Sequence, residues 1–325
     1  MHHFTAHRLV VEGEVTAPIA LNEHKGSALR GAIYHALRSR FCTMRDGVGE
    51  CVRCPIWQTC PVCTLVSTLA PDNRVGPDAA RPYTVQPPLD GAQLSYAPGE
   101  LLTFGLTLYA DAMRLFPYLV MALYGLEEEG LGRRVEVNHW RRGALRITAI
   151  HADNPLTGER AAVVRPGEAL VQVPDVAITH AQVLARAEAL RAVPELTIEL
   201  LTPTRLTHRK ALIKPGEVTL AVLLARLFDR LESLAQSFSD TPLSIPYRDL
   251  LEQAGRAQVV RDATHWVELS SYSTRQRRAT PIGGLMGQVT IACDDWSPFL
   301  PWLLWGQFTH VGKDAVKGNG WYMIA

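Results

Sequence analysis

The order strand, helix, strand, strand, helix, strand can be laid along this chain twice, and few architectures accept that order. Residues 7–17 alternate as a strand, with Leu9, Val11 and Val15 on one face. Residues 25–40 carry Leu29, Ile33, Ala36 and Leu37 on one helical stripe. Residues 82–86 and 101–110 read as strands, 113–126 as a helix and 145–152 as a closing strand. A turn at 154–158, a short strand near 170–173 and a helix over 181–192 follow. The pattern then recurs: strand 196–201, long amphipathic helix 218–238, shorter helix 247–254, strands 259–269 and 286–292, helix 299–308 and strand 321–324. The fold class expected is α+β, with two tandem ferredoxin-like (βαββαβ) domains, each an antiparallel sheet with helices on one face. The expected boundary lies near Val193-Pro194, giving domains 1–193 and 194–325, with a cysteine-rich insertion at 42–63 in the first.

Composition agrees with two packed cores. The chain has 325 residues, 47% hydrophobic and 20% charged, which excludes wholesale disorder. Its longest apolar runs, 116–126 and 298–305, fall short of the roughly 18 residues a bilayer span needs, so no membrane partner is expected. The first residues show no charged stretch followed by an apolar one, so no secretory signal is expected and a cytoplasmic location is. A net charge of +1 neither demands nor forbids a polyanionic ligand, so that question rests on local clusters.

Five of the six cysteines lie between Cys42 and Cys63. A disulfide framework belongs in a short secreted chain, and this chain is neither short nor visibly secreted. Cys51-Val52-Arg53-Cys54 and Cys60-Pro61-Val62-Cys63 each place two sulfurs on one tight turn, and four such sulfurs can enclose Zn²⁺ tetrahedrally. Cys42 is an alternative ligand for any one of the four. With every position filled by thiolate the zinc is structural, and no catalytic metal is expected. An iron–sulfur cluster on the same ligands stays open, as does a group of unligated thiols.

Cations gather in three loops of the second half. Arg205 follows a strand end and opens the basic run that reaches Lys210; Arg275, Arg277 and Arg278 crowd behind Tyr272; Lys313 and Lys317 sit among Gly312, Gly318 and Gly320, just after His310. Arginines beside a tyrosine suit phosphate contact and base stacking, and glycine loops let a backbone approach a ligand closely. Solvated loops and a plain turn are the competing readings. The spacing before Lys313 is not that of a Walker nucleotide-binding loop. Leu220, Leu223, Leu224, Leu227 and Leu231 read as core, as do Trp296, Trp302 and Trp305.

Several of these stretches, taken together, carry a resemblance. They are 202–205, 272–276, Gly283-Gly284-Leu285-Met286-Gly287, Phe299-Leu300-Pro301, His310-Val311-Gly312-Lys313 and Gly318-Asn319-Gly320. In them the C-terminal half resembles the CRISPR repeat-RNA processing endoribonucleases of the RAMP superfamily. The first helix, 29–37, followed by a cysteine-rich insertion, is similar to one branch of that family. The resemblance implies two ferredoxin-like domains and a repeat-RNA (crRNA) partner, with other CRISPR effector subunits as further partners. It also implies metal-independent cleavage, in which the ribose 2′-OH attacks the adjacent phosphate to leave 2′,3′-cyclic phosphate and 5′-OH ends. The same resemblance points to His35 as proton-transfer residue, with Tyr34 and His24 assisting, Lys25 or Arg30 stabilising charge, and His310 in reserve. Many relatives place a catalytic histidine just after the first helix, where this chain has its cysteines. A non-catalytic repeat-binding subunit of the same superfamily is therefore the alternative, and a zinc-ribbon DNA-binding protein is a third reading.

Overall fold

The structure, a computed structural model, describes residues 1, 4–44, 51, 54–67, 80–168, 170–241, 243–273 and 278–325. The chain divides into two compact units, Ala6–Ala177 and Ile178–Ala325, the latter joined by Met1–Thr5.

In the first unit, β1 (Thr5–Ala17) leads to α1 (Lys25–Phe41), β2 (Tyr83–Gln86), β3 (Leu101–Tyr109), α2 (Phe116–Tyr124) and β4 (Arg141–Asn154). The strands lie antiparallel in the order β2-β3-β1-β4, the ferredoxin-like arrangement. The register sets Leu9 against Leu106 and Val11 against both Phe104 and Ile150, so one face of the sheet is apolar. The α1 stripe of Leu29, Ile33, Ala36 and Leu37 is buried, as are Leu119 and Leu123 of α2. Among the strands that escaped the sequence reading, Leu131–Val135 and Glu159–Val164 each pair with β4. The strand expected near 170–173 is absent: Leu170 and Val173 stand exposed, and the hairpin turn at Asn154–Gly158 brings Glu159–Val164 to β4 instead. The helix expected over 113–126 begins with a tight turn, Ala110–Leu115. Its α portion starts at Phe116, where Pro117, lacking an N–H, occupies the first turn without losing a bond.

The second unit repeats the scheme with β5 (Glu195–Thr204), α3 (Leu220–Phe238), β6 (Gln258–Asp262), β7 (Gly284–Ala292), α4 (Leu300–Thr309) and β8 (Tyr322–Ile324). The order is β6-β7-β5-β8, again antiparallel and ferredoxin-like. The strand expected over 259–269 is broken into β6 and His265–Val267, which both pair with β7. The break has a cause. Asp262 Oδ1 accepts from the Thr264 amide at 2.8 Å, and the backbone at Ala263 passes so close to Gly287 that a Cβ there would lie 2.4 Å from the Ala263 carbonyl. The helix His180–Leu190, grouped with the first domain by the sequence, belongs to this unit. Val183 and Ala187 are buried, and Trp305 Nε1 donates to His180 Nδ1 at 3.1 Å.

Core packing here is close. The leucine stripe of α3 is buried, and Gly306 lets α4 approach α3 and β8. A Cβ at Gly306 would lie 2.1 Å from the Tyr322 hydroxyl and 2.5 Å from Leu227. Alanine favours a helix over glycine by about 1 kcal/mol, but here it meets buried Tyr322, whose hydroxyl donates to the Leu303 carbonyl at 2.6 Å. Overpacking of that kind costs about 1–3 kcal/mol. We predict that Gly306→Ala lowers the thermal midpoint; a raised midpoint would mean that α4 is not held this closely.

Candidate functional site

The first helix is organised by its own end. Position 24 caps α1: the His24 ring Nδ1 accepts from the Ser27 amide at 3.0 Å, and the residue is only 7% exposed. Lys25 is 6% exposed and paired with Asp90, which also accepts from the Tyr96 hydroxyl. Both residues thus have structural roles. Eleven residues of helical rise separate His24 from His35, about 16 Å, so the two do not meet at one phosphate.

His35 and Tyr34 are half-buried side by side on α1, their ring centroids 5.4 Å apart. Arg38, one turn on, donates to the Tyr34 hydroxyl at 3.4 Å. Burial lowers the His35 pKa below its ordinary value of 6.5. Arg142 and Arg38 lower it further, and Glu129 opposes them. The imidazole is therefore held neutral near pH 7, the form a general base requires. The sequence missed Arg142 and Glu129, which come from β4 and the turn after α2; no local pattern links them to α1. Arg30 lies on the same helix with its Nε buried and acts electrostatically on buried Tyr83.

In the second unit the glycine loop after α4 is a clasp on the end of β5. Val311 N bonds Gly320 O at 2.9 Å, Lys313 N bonds Arg205 O at 3.1 Å, and Gly320 N bonds Pro203 O at 3.1 Å. Gly312 (φ +84°) and Gly320 (φ +73°) adopt left-handed backbone, and a Cβ would fall 2.5 Å from Arg205 O and 1.8 Å from Val311 O respectively. The amides of Gly318 and Gly320 donate within the clasp, to Ala315 O and Pro203 O, so glycine here answers a steric need rather than opening amides to phosphate. His310 is 0% exposed; its Nδ1 meets Asn319 O at 3.1 Å and its ring stacks on Trp321 at 6.1 Å. Buried in this way it is part of the clasp's interior, not of its surface. Lys317 is paired with Asp314 at 2.8 Å, whereas Lys313 is exposed.

Arg205 is half-buried beside the clasp, with Nη1 3.3 Å from Gly283 O and its guanidinium 5.8 Å from the Trp266 ring centroid. Trp266 and Asn319, whose Nδ2 donates to Ile282 O at 2.9 Å, were not singled out by sequence; isolated residues of those types carry no spacing signal. Thr207–His208 and Ala211–Leu212 form a two-residue hairpin that holds exposed Arg209 and Lys210 at its tip, both with positive φ. Arg275 and Arg277 lie outside the described residues. Arg278 opens the strand Arg278–Pro281, which pairs with Ser270–Ser273.

The cysteines sit on two turns of the first unit. Cys54 N bonds Cys51 O at 3.0 Å, and Thr64 N bonds Cys60 O at 3.0 Å. Cys60 and Cys63 are buried, and Cys63 is in side-chain hydrogen-bond contact with both Cys51 and Cys60. Burial, then these two neighbours, push the Cys63 thiol above its ordinary pKa. Cys42 caps the far end of α1 through its amide, 3.1 Å from Arg38 O. Among the described residues no His, Cys, Asp or Glu group is closed around a metal position, and no helix is long and apolar enough to cross a membrane.

Residues 198–322 match the family model of the CRISPR-associated endoribonuclease Cas6, and residues 4–176 match AF_1859_N, a family model of an N-terminal domain. The chain belongs to the AF_1859_N family, whose model spans more than half of it, and its C-terminal part matches the Cas6 model. Its fold is shared with solved structures of low identity. A chain of a partial Cas6-RT-Cas1–Cas2 complex is 16% identical with a TM-score of 0.62; the match covers 99% of this chain and 46% of that one. This chain therefore spans less than half the length of that relative. A Cas6 product complex (16%, TM-score 0.54) and a Thermus thermophilus Cas6 (15%, TM-score 0.54) each match over 99% of both chains. No curated protein sequence matches.

The Cas6 match spans both the strand end that carries Arg205 and the clasp that carries Lys313. The side-chain bond from Asn319 to Ile282 O is fully buried, and removing it leaves a buried carbonyl unsatisfied, at a cost of about 1–3 kcal/mol. We predict that Asn319→Ala lowers the denaturant midpoint by a corresponding amount, as measured by urea unfolding. An unchanged midpoint would show that the clasp does not depend on this bond.

Proposed function

We propose that this chain is an endoribonuclease that cleaves CRISPR repeat RNA without a catalytic metal, through its own proton-transfer groups. The observation that carries the reading is the pairing of Tyr34 with a neutral-leaning His35 on α1, flanked by Arg38 and Arg142, in a chain of this family.

The His35 imidazole takes the proton of the ribose 2′-OH. The 2′-oxygen then attacks phosphorus, and the bond to the 5′-oxygen breaks as the 2′,3′-cyclic phosphate forms. Tyr34 donates a proton to the leaving 5′-oxygen, giving the 5′-OH end, and the proton held by His35 returns through solvent to Tyr34. Arg38 and Arg142 supply positive charge as the phosphoryl oxygens become more negative. Arg205, Lys313, Arg209 and Lys210 hold the RNA backbone, with Trp266 beside Arg205 as a face for a base. Retention of the cleaved repeat RNA among other CRISPR effector subunits is part of this reading.

The test is single-turnover cleavage of the cognate repeat RNA in EDTA. The wild type yields cyclic-phosphate and 5′-OH ends, and His35→Ala lowers the rate by about 10²-fold or more with RNA affinity retained. Tight binding without cleavage in the wild type would establish the non-catalytic repeat-binding subunit instead, the reading favoured by His24 and His310 both having structural places. The pH profile gives a second check. Because the His35 pKa is lowered, the base stays deprotonated at pH 7 and the rate falls only as pH drops through a value below 6.5. A rate that instead falls as pH rises through this range would make His35 the acid. For binding, Arg205→Ala with Lys313→Ala reduces the slope of log affinity against log salt by about 1.5, at about 0.7–0.9 per phosphate contact; an unchanged slope would place the cationic grip elsewhere.

A further inference from the structure

We infer that the two cysteine turns of the first unit hold one structural zinc ion, with Cys51, Cys54, Cys60 and Cys63 as ligands. The Cys63 side chain is in hydrogen-bond contact with those of Cys51 and Cys60, so the two turns meet through their sulfurs, although among the described residues no three such side chains are gathered into a group that could hold a metal. In a ZnS₄ tetrahedron the sulfurs stand about 3.8 Å apart, from a Zn–S bond of about 2.3 Å, which is the range at which two thiols touch. Cys54 sits on the same turn as Cys51, its amide bonded to the Cys51 carbonyl at 3.0 Å. The two ligand pairs therefore approach from opposite turns, each with the two-residue spacing that lets one turn supply two tetrahedral positions.

The surroundings fit a structural ion. Cys60 and Cys63 are buried with Val62, Leu65 and Val66, and Cys51 and Cys54 are half-buried, so the ion is shielded on one side and reachable on the other. Backbone bonds from Cys51–Cys54, Cys54–Trp57, Ile56–Thr59 and Cys60–Thr64 are local, so each turn closes on itself. None of the six cysteines is in a disulfide. On binding, the four thiols lose their protons and the dication balances charges that would otherwise repel. Four thiolates leave no coordination position for water, so the ion orders the insertion and takes no part in cleavage.

The experiment uses the full-length chain purified without chelator. Metal analysis by mass spectrometry finds about one zinc per chain, and a mercurial reagent that modifies thiols releases it to a chromogenic indicator. After exchange, Co²⁺ gives the visible absorption of tetrahedral tetrathiolate cobalt, with a thiolate charge-transfer intensity for four sulfurs. Cys54→Ser and Cys63→Ser lose this spectrum, whereas Cys42→Ser and Cys293→Ser keep it. Should the serine variants fail to fold, the wild-type cobalt spectrum alone decides. Wild type that holds neither zinc nor cobalt at micromolar metal overturns the proposal, as does purified protein containing iron and acid-labile sulfide. Loss of the cobalt spectrum in Cys42→Ser with retention in Cys54→Ser would overturn the assignment of the fourth ligand.

Discussion

The second unit depends on how closely two backbones approach at the end of β5. There the chain from Thr202 to Arg205 lies against Gly283-Gly284 on one side and the clasp on the other, and a Cβ at Gly284 would fall within 2.6–2.8 Å of Thr204. Glycine at 284, 312 and 320 is thus a condition for the ladder of bonds from Pro203 and Arg205 to Gly320 and Lys313. That ladder fixes Arg205, and Arg205 in turn lies against Trp266. A cation positioned by its own backbone and by an aromatic ring loses less freedom on meeting a phosphate than a lysine on a free loop does. Lys313 shares the same ladder through its amide while its side chain remains exposed.

The folding pattern was legible because it is periodic. The stripe Leu29, Ile33, Ala36 and Leu37 and the leucines of α3 face their cores as helical spacing requires, and the strand alternation of residues 7–17 reappears in β1. What periodicity could not supply was the punctuation. Pro117 moves the start of α2, and Gly287 with Asp262 splits one expected strand in two. Each of these is a single side chain whose effect depends on a partner distant in sequence. The helix His180–Leu190 was misplaced for the same reason, since only Trp305, far along the chain, shows which core it joins.

The candidate site was legible to a smaller extent. His35 and Tyr34 were selected through resemblance, but the burial that lowers the His35 pKa, and the Arg142 and Glu129 that act on it from β4 and the turn after α2, come from the fold. The same residue type at 24 and 310 has gone to other work. One ring caps a helix and the other fills the interior of the clasp. Histidine suits all three tasks, because it accepts a hydrogen bond, stacks and transfers protons, so its position in the fold, not its identity, separates them.

On the reading proposed here, chemistry and grip are carried by different units and respond to different variables. The His35 pKa is governed by burial and by the balance of Arg142 and Arg38 against Glu129, all half-buried and therefore only modestly screened by salt, and so would be the proton transfer proposed for it. The proposed grip of Arg205, Arg209, Lys210 and Lys313 on RNA would act through counterion release and weaken steeply with salt. At saturating RNA, raising the ionic strength should therefore leave the cleavage step nearly unchanged while binding falls by orders of magnitude. This separation follows from where the charges lie: paired and half-buried around α1, open around β5 and its clasp. On that reading, the residues that would hold a repeat lie in one unit and those that set the imidazole's protonation state lie in the other.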